Sequence, residues 1–283
     1  MTEKVAVVTD SSPYLPSVLI EKYPIHVVPL TVIWGEECLA DGVDITPDQF
    51  YKRLNGTRVM PSTSQPSVAD FLTIYQDLHR QGYHILSVLI SAKLSGTVSS
   101  ATQARDLLPE AKIEIIDSES VAMGCGFQVL AAAEAAHQGA SLADCKLEAL
   151  RARSQAGVIF VLDTLEFLHR GGRIGGAKRF FGTLLQVKPV LAIEQGVVVS
   201  VDQVRTHQKA LERVVKIIVD QAQGHQILRL ATLHANNPEP AQAILQKAES
   251  LLSPSMVVHS AVSPVIGTHA RPGAVGLAYL MED

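Results

Sequence analysis

The chain has 283 residues, 47% hydrophobic and 18% charged, with a formal net charge of −4 at pH 7. That length and apolar content suit one large or two ordinary domains with a sizeable core, and exclude a disordered chain. Lys and Arg are spread along an acidic chain rather than gathered in a stripe, which argues against a nucleic-acid-binding protein.

The first elements follow at once. Val5-Ala6-Val7-Val8-Thr9 is a β-branched run ending at Asp10-Ser11-Ser12-Pro13, the pattern of a buried strand and a turn. A second strand is predicted over 25–33. Thr46-Pro47 marks a helix start, with the threonine as cap and the proline in the first turn. Helices are predicted over 67–80, 97–107, 124–138 and 142–154, separated in part by strands over 84–90 and 112–116. This alternation signals a mostly parallel sheet.

From Val158-Ile159-Phe160-Val161 the style changes. Strands over 188–194 and 197–204 meet at Gln195-Gly196, a hairpin signal. Helices over 206–223 and 239–252 place apolar residues at helical spacing. Strands are predicted over 227–233, 257–262 and 275–280. The reading is α/β with two domains: 1–155 around a mostly parallel sheet and 156–283 around a mixed one, with a ligand between them.

No apolar run approaches the length of a membrane span, and the start Met1-Thr2-Glu3-Lys4 lacks a signal-peptide pattern. Cys38, Cys125 and Cys145 have neither disulfide-framework nor metal-ligand spacing. Free buried thiols in a reducing cytoplasm are expected, and no metal site. No Gly-x-x-x-x-Gly-Lys-Ser/Thr loop and no Gly-x-Ser-x-Gly elbow is present. Gly124-Cys125-Gly126 opens a helix, but the third glycine of a dinucleotide fingerprint is missing, and close helix–sheet packing explains the pair equally.

Three hydroxyl-bearing turns carry the sharper signal: Thr63-Ser64-Gln65-Pro66-Ser67, Ser91 to Thr97 around Ser95-Gly96, and Ile266-Gly267-Thr268-His269 with Ala270-Arg271-Pro272-Gly273. Hydroxyls and free N–H groups at helix starts favour an anion. Ordinary helix capping accounts for Ser95 and Thr63 as well. His269 is either a satisfied surface histidine or a donor to the anion. Arg170-Gly171-Gly172-Arg173 is a basic glycine-rich loop, either solvated or a contact for an anion or partner.

In order along the chain, Val8-Thr9-Asp10-Ser11, Asp41-Gly42-Val43-Asp44-Ile45, Thr63-Ser64-Gln65-Pro66-Ser67, Leu94-Ser95-Gly96-Thr97, Ile116-Asp117-Ser118, Arg170 to Gly175, Lys188-Pro189 and Ile266-Gly267-Thr268-His269 with Pro272-Gly273 resemble the DegV family of bacterial fatty-acid-binding proteins. These are the lipid-carrying subunits of fatty acid kinase. The resemblance implies a non-catalytic protein whose ligand is a long-chain fatty acid, with its tail in a buried tunnel mostly within the first domain. It implies a carboxylate held by Thr63, Ser64, Ser95 and Gly96, closed over by Thr268 and His269. It implies presentation of that carboxylate to a separate ATP-dependent kinase for acyl-phosphate formation in phospholipid metabolism. Arg170, Arg173, Arg205 and Arg271 would then contact the partner or a phosphate. No cofactor beyond the lipid is implied.

Two positions depart from the family pattern. Arg271 stands where glycine is common, and Arg205-Thr206-His207-Gln208 is less basic than usual. Two other readings remain: a sensor of a small carboxylate or phosphate without lipid, and an enzyme using His269 as acid–base.

Overall fold

The computed structural model describes residues 3–57, 59–180, 187–222 and 225–282. The first half runs β1 (Val5–Asp10), α1 (Ser17–Lys22), β2 (Ile25–Val28), β3 (Thr31–Trp34), β4 (Glu37–Ala40), α2 (Pro47–Asn55) and β5 (Ser62–Ser64). It continues with α3 (Val68–Arg80), β6 (His84–Leu89), α4 (Thr97–Asp106), β7 (Ile113–Asp117), α5 (Ala122–His137) and α6 (Leu142–Gln155). The second half runs β8 (Ala156–Val161), α7 (Glu166–Arg170), β9 (Lys188–Glu194), β10 (Val197–Val204), α8 (His207–Gln221) and β11 (Ile227–His234). It ends with α9 (Pro238–Leu252), β12 (Met256–Val258), α10 (Pro264–Ala270) and β13 (Val275–Met281).

The first sheet has the order β2-β1-β6-β7 and is parallel throughout. Every residue of β1 is buried, as a central strand covered on both faces requires. The second sheet has the order β10-β9-β8-β13-β11-β12 and is mixed: its pairs are antiparallel except β11 with β12. A small antiparallel sheet, β4-β3-β5, lies beside them.

One helix joins the halves. Residues Ala122–Leu130 of α5 are all buried, because the helix lies between the two sheets and packs on β1 and β6 on one side and β8 and β13 on the other. A helix apolar on every face belongs in such a place. Its small residues let the sheets approach: a Cβ at Gly124 would stand 2.4 Å from both Val158 and Ser120. The glycine pair therefore serves close packing. The outer face of the first sheet is covered by α3 and α4 through Phe71, Tyr75, Leu78 and Ala104. The outer face of the second is covered by α8 and α9 through Val214, Ile218, Ile244 and Leu245.

Local chemistry sets the boundaries. Thr46 caps α2 in a capping box with Gln49, and Pro47 fills its first turn. Ser67 caps α3 in a box with Asp70. Both Gln195 and Gly196 have positive φ, the two-residue turn that suits the strand twist between β9 and β10. Thr206 caps α8; position 223, the expected end of that helix, lies outside the described residues.

Four local expectations change. The strand predicted over 25–33 is two strands in different sheets, broken at Pro29, whose missing N–H cannot continue a ladder. The strand over 257–262 stops at Val258; beyond it the Ser260 N–H donates to Thr232 and its hydroxyl to the Tyr14 carbonyl, carrying the chain towards the first half. Residues 264–270 form a helix rather than a turn, capped by Ser263 with Pro264 in the first turn. Cys125 and Cys145 are buried as expected, but Cys38 on β4 is exposed.

Candidate functional site

The carboxyl ends of β1, β6 and β7 all point to one edge of the first sheet. In parallel sheets that edge is where ligands bind. Leu30, Ile90, Leu94 and Val121 line a cavity there from the first half. Phe160, Leu162, Leu168, Ile193, Val198 and Val265 line it from the second. Its atom-free space, counted out to its open mouth, is about 730 Å³. The apolar wall of this cavity thus draws on both halves.

Polar groups gather at one end of this cavity: Thr63, Ser64, Gln65 and Ser95 from the first half, Arg173 and His269 from the second. Thr63 and Ser64 sit on β5, held by pairing with β3, so their hydroxyls belong to a short strand rather than a helix start. Gly96 is the cap residue of α4 and receives no side-chain capping bond. The Ser95 hydroxyl instead lies 2.8 Å from that of Thr97. The Gln65 carboxamide covers Gly96, where a Cβ would stand 3.0 Å from its Nε2.

His269 comes from α10. Its Nε2 lies 3.0 Å from the Thr63 hydroxyl, joining residues 206 positions apart. Burial, helped by the nearby Arg173 charge, lowers its pKa to about 4, so the ring is neutral at pH 7. A neutral ring offers one N–H and one lone pair, which suits hydrogen bonding to a ligand oxygen more than ion pairing. Gly171 makes room for this ring: a Cβ there would stand 2.3 Å from Nδ1. Arg173 is braced by bonds from Nε to the Leu94 carbonyl, 3.0 Å, and from Nη1 to the Gly171 carbonyl, 2.5 Å.

The other expected residues lie around this end. The Thr268 hydroxyl donates to the Pro264 carbonyl within α10, and the residue is buried outside the cavity wall. Arg170 is exposed and pairs with Glu166 across one helical turn at 2.5 Å. Arg205 is exposed between β10 and α8. Arg271 ends α10 at φ 64°, a conformation rare outside glycine, and its guanidinium lies 4.0 Å above the Phe167 ring. Its Nη1 is buried without a hydrogen-bond partner. The cavity also uses Gln65 and the β9–β10 hairpin, which sequence reasoning did not assign. The hairpin is tied to the first half where the Ser91 hydroxyl donates to the Gly196 carbonyl and the Lys93 ammonium to that of Gln195, both at 2.8 Å. Among the described residues no group of three or more His, Cys, Asp and Glu side chains could hold a metal ion, and no helix is long and apolar enough to cross a membrane.

Fold and cavity together define a two-part α/β protein built round an apolar chamber with a polar end shared by both parts. Residues 4–282 match the family described as "Uncharacterised protein, DegV family". The chain is 32% identical over 279 residues to Protein DegV of Bacillus subtilis, covering 98% of this chain and 99% of that one. A DegV family protein from Thermus thermophilus, whose structure is described for fatty acid binding, superposes with a TM-score of 0.93 at 35% identity, covering 99% and 100% of the two chains. The Bacillus subtilis DegV structure, described as a fatty acid binding protein, gives 0.89 at 32% identity over 99% and 100%. A stearic-acid-binding protein from Eubacterium ventriosum gives 0.88 at 25% identity over 98% of each. The chain belongs to the DegV family.

Proposed function

We propose that this protein binds a long-chain fatty acid, with its tail in the apolar cavity and its carboxylate at the polar end, and is not itself an enzyme. The observation that carries this is the convergence of Thr63 and Ser95 from one half with His269 from the other at one end of an otherwise apolar chamber. Fatty acid binding by its structural relatives supports the ligand class. Thr63, Ser64 and Ser95 supply hydroxyls, Gly96 its backbone, His269 its ring, and Thr268 steadies the helix that carries the ring.

Magnitudes separate the roles. Burying about fifteen methylenes at ~0.8 kcal/mol each gives a gross term on the order of 12 kcal/mol. Each hydrogen bond to the charged carboxylate adds about 1.5–3 kcal/mol. The tail dominates affinity and the polar end sets which way the ligand lies. That orientation lets a separate ATP-dependent kinase reach the carboxylate, so an acyl phosphate forms on the carried lipid. Arg170, Arg173, Arg205 and Arg271 are the cations offered to that partner or to the phosphate. Residues 1–155 and 156–283 act as the two domains on either side of the ligand, in the cytoplasm.

The test is the lipid that co-purifies. Organic extraction and mass spectrometry should recover about one fatty acid per chain, with much less from the Thr63→Ala/Ser95→Ala double variant at unchanged melting temperature. Equal recovery from both proteins would refute the carboxylate assignment, and no lipid in either, with no uptake of added palmitate, would refute the ligand class.

A further inference from the structure

The first half also grips the start of α10. Asp41 is buried at 2% exposure in the loop between β4 and α2. Its Oδ2 accepts from the Ser11 hydroxyl at 2.6 Å, and Oδ1 from the Val265 N–H at 3.4 Å. The Ser263 hydroxyl lies close enough to the same carboxylate to favour its ionised form. Each of those donors is itself fixed. Ser11 accepts from the Leu30 N–H, and Ser263 accepts from the Ile266 N–H. The same helix is wedged further along, because Gly267 leaves no room for a Cβ against the Tyr51 hydroxyl. Four residues after Val265 comes His269, whose ring meets Thr63.

From this geometry we infer that Asp41 is a positioning residue for the polar end of the cavity: its carboxylate, from the first half, sets α10 of the second and thereby aims His269. The inference rests on the fatty-acid reading of the cavity. Asp41 touches none of the polar groups that line the cavity; it acts through the backbone of the helix, at Val265. Three donors surround the carboxylate, so its ionised form is the one they fit; protonation puts a fourth donor among three. Burial opposes ionisation and pushes the carboxyl up to about 7, with the neighbouring Asp10 charge acting the same way. The balance between positioned and slackened α10 therefore falls near neutral pH.

The titratable neighbours are few. Asp10 ends β1 and spends its oxygens on the Ile90 and Ser12 N–H groups, away from α10. Tyr14 and Tyr51 both feel the Asp41 charge, and burial first of all raises each of them further from neutrality. Asp48 of α2 acts on Tyr14. Asp44 faces outward to the Ala40 N–H. A ligand carboxylate lies at the opposite end of α10 beside the Arg173 guanidinium, which offsets its repulsion of Asp41.

The test compares delipidated wild type with Asp41→Asn, an isostere that cannot ionise. Palmitate affinity is measured from pH 6 to 8, and the His269 ring is followed by NMR with labelled histidine, assigned through His269→Gln. At pH 8 the variant should bind palmitate about tenfold more weakly, and the gap should close towards pH 6, where the wild-type carboxyl is also neutral. The wild-type His269 signals should move with a midpoint near 7, although the ring itself stays neutral down to about 4; in Asp41→Asn that movement should vanish. Ser263→Ala, which removes one donor and keeps the carboxyl, should raise the midpoint and serves if Asp41→Asn does not fold. Equal palmitate affinity and equal ring titration in variant and wild type would overturn the inference. Failure of wild type to bind palmitate at any pH would instead refute the function it rests on.

Discussion

The two sides of the polar end are built differently. The first half supplies neutral groups on stiff supports: Thr63 and Ser64 on a paired strand and Ser95 in the loop that starts α4. The second half supplies a ring and a cation on short pieces: His269 on the seven-residue α10 and Arg173 in the loop after α7. Hydroxyls on a fixed strand define where an oxygen can sit. A ring held by a short helix can be withdrawn by small shifts of that helix. One wall of the polar end is thus fixed by strand pairing, while the other hangs on a short helix.

The largest expected effect ignores both sides and removes the chamber. Ile193→Trp, on the hairpin strand β9, should fill the apolar space and abolish co-purifying lipid, at a stability cost of about 1–3 kcal/mol for overpacking. Mass spectrometry of the extract checks it; wild-type lipid content would mean that the tail lies elsewhere. Next comes Gly171→Ala, which strikes the movable side alone. The new methyl would displace the His269 ring from Thr63 while leaving the hydroxyls in place. One charge-assisted hydrogen bond is lost, about 1.5–3 kcal/mol, so palmitate affinity should fall roughly ten- to a hundredfold without loss of fold. An unchanged affinity would show that the fixed side suffices.

His269→Gln sharpens the comparison through pH. The folded-state pKa of His269 is depressed, so below its ordinary value near 6.5 the unfolded chain takes up a proton that the folded one refuses. Stability is therefore lost as pH falls from about 6.5 to about 4, and the glutamine variant should lose less of it in denaturant titrations. Asp41 has the opposite sign: its raised pKa makes the folded chain take up a proton first, so its contribution weakens as pH rises from about 4 to about 7. The smallest effect is expected from Arg170→Ala. This exposed pair with Glu166 is worth ~0–1 kcal/mol, and lipid content should not change. A large loss of lipid would move Arg170 from the surface into the site.

Much of the fold was legible because its cues are local. The β-branched run of β1, the Thr46-Pro47 start of α2 and the Gln195-Gly196 turn each depend on neighbours in sequence. Where expectation and structure differ, the deciding partner is distant or two local cues compete. Ser263-Pro264 is a helix start by the same logic as Thr46-Pro47, yet the glycine and proline that follow it read as a turn. Thr63 reads equally as an ordinary helix cap; its pairing with β3, and that of Ser64, is a contact between segments about thirty residues apart.

Local sequence cues carry the α/β class with one parallel and one mixed sheet, because periodicity, capping and turn chemistry act over a few residues. Tertiary structure alone decided that α5 lies between two sheets, that the chamber is walled by both halves, that Gln65 covers Gly96, and that Thr268 turns away while His269 reaches Thr63. Those outcomes depend on which surfaces meet when the sheets pack, and a side chain's direction relative to a partner two hundred residues away is fixed only by that packing.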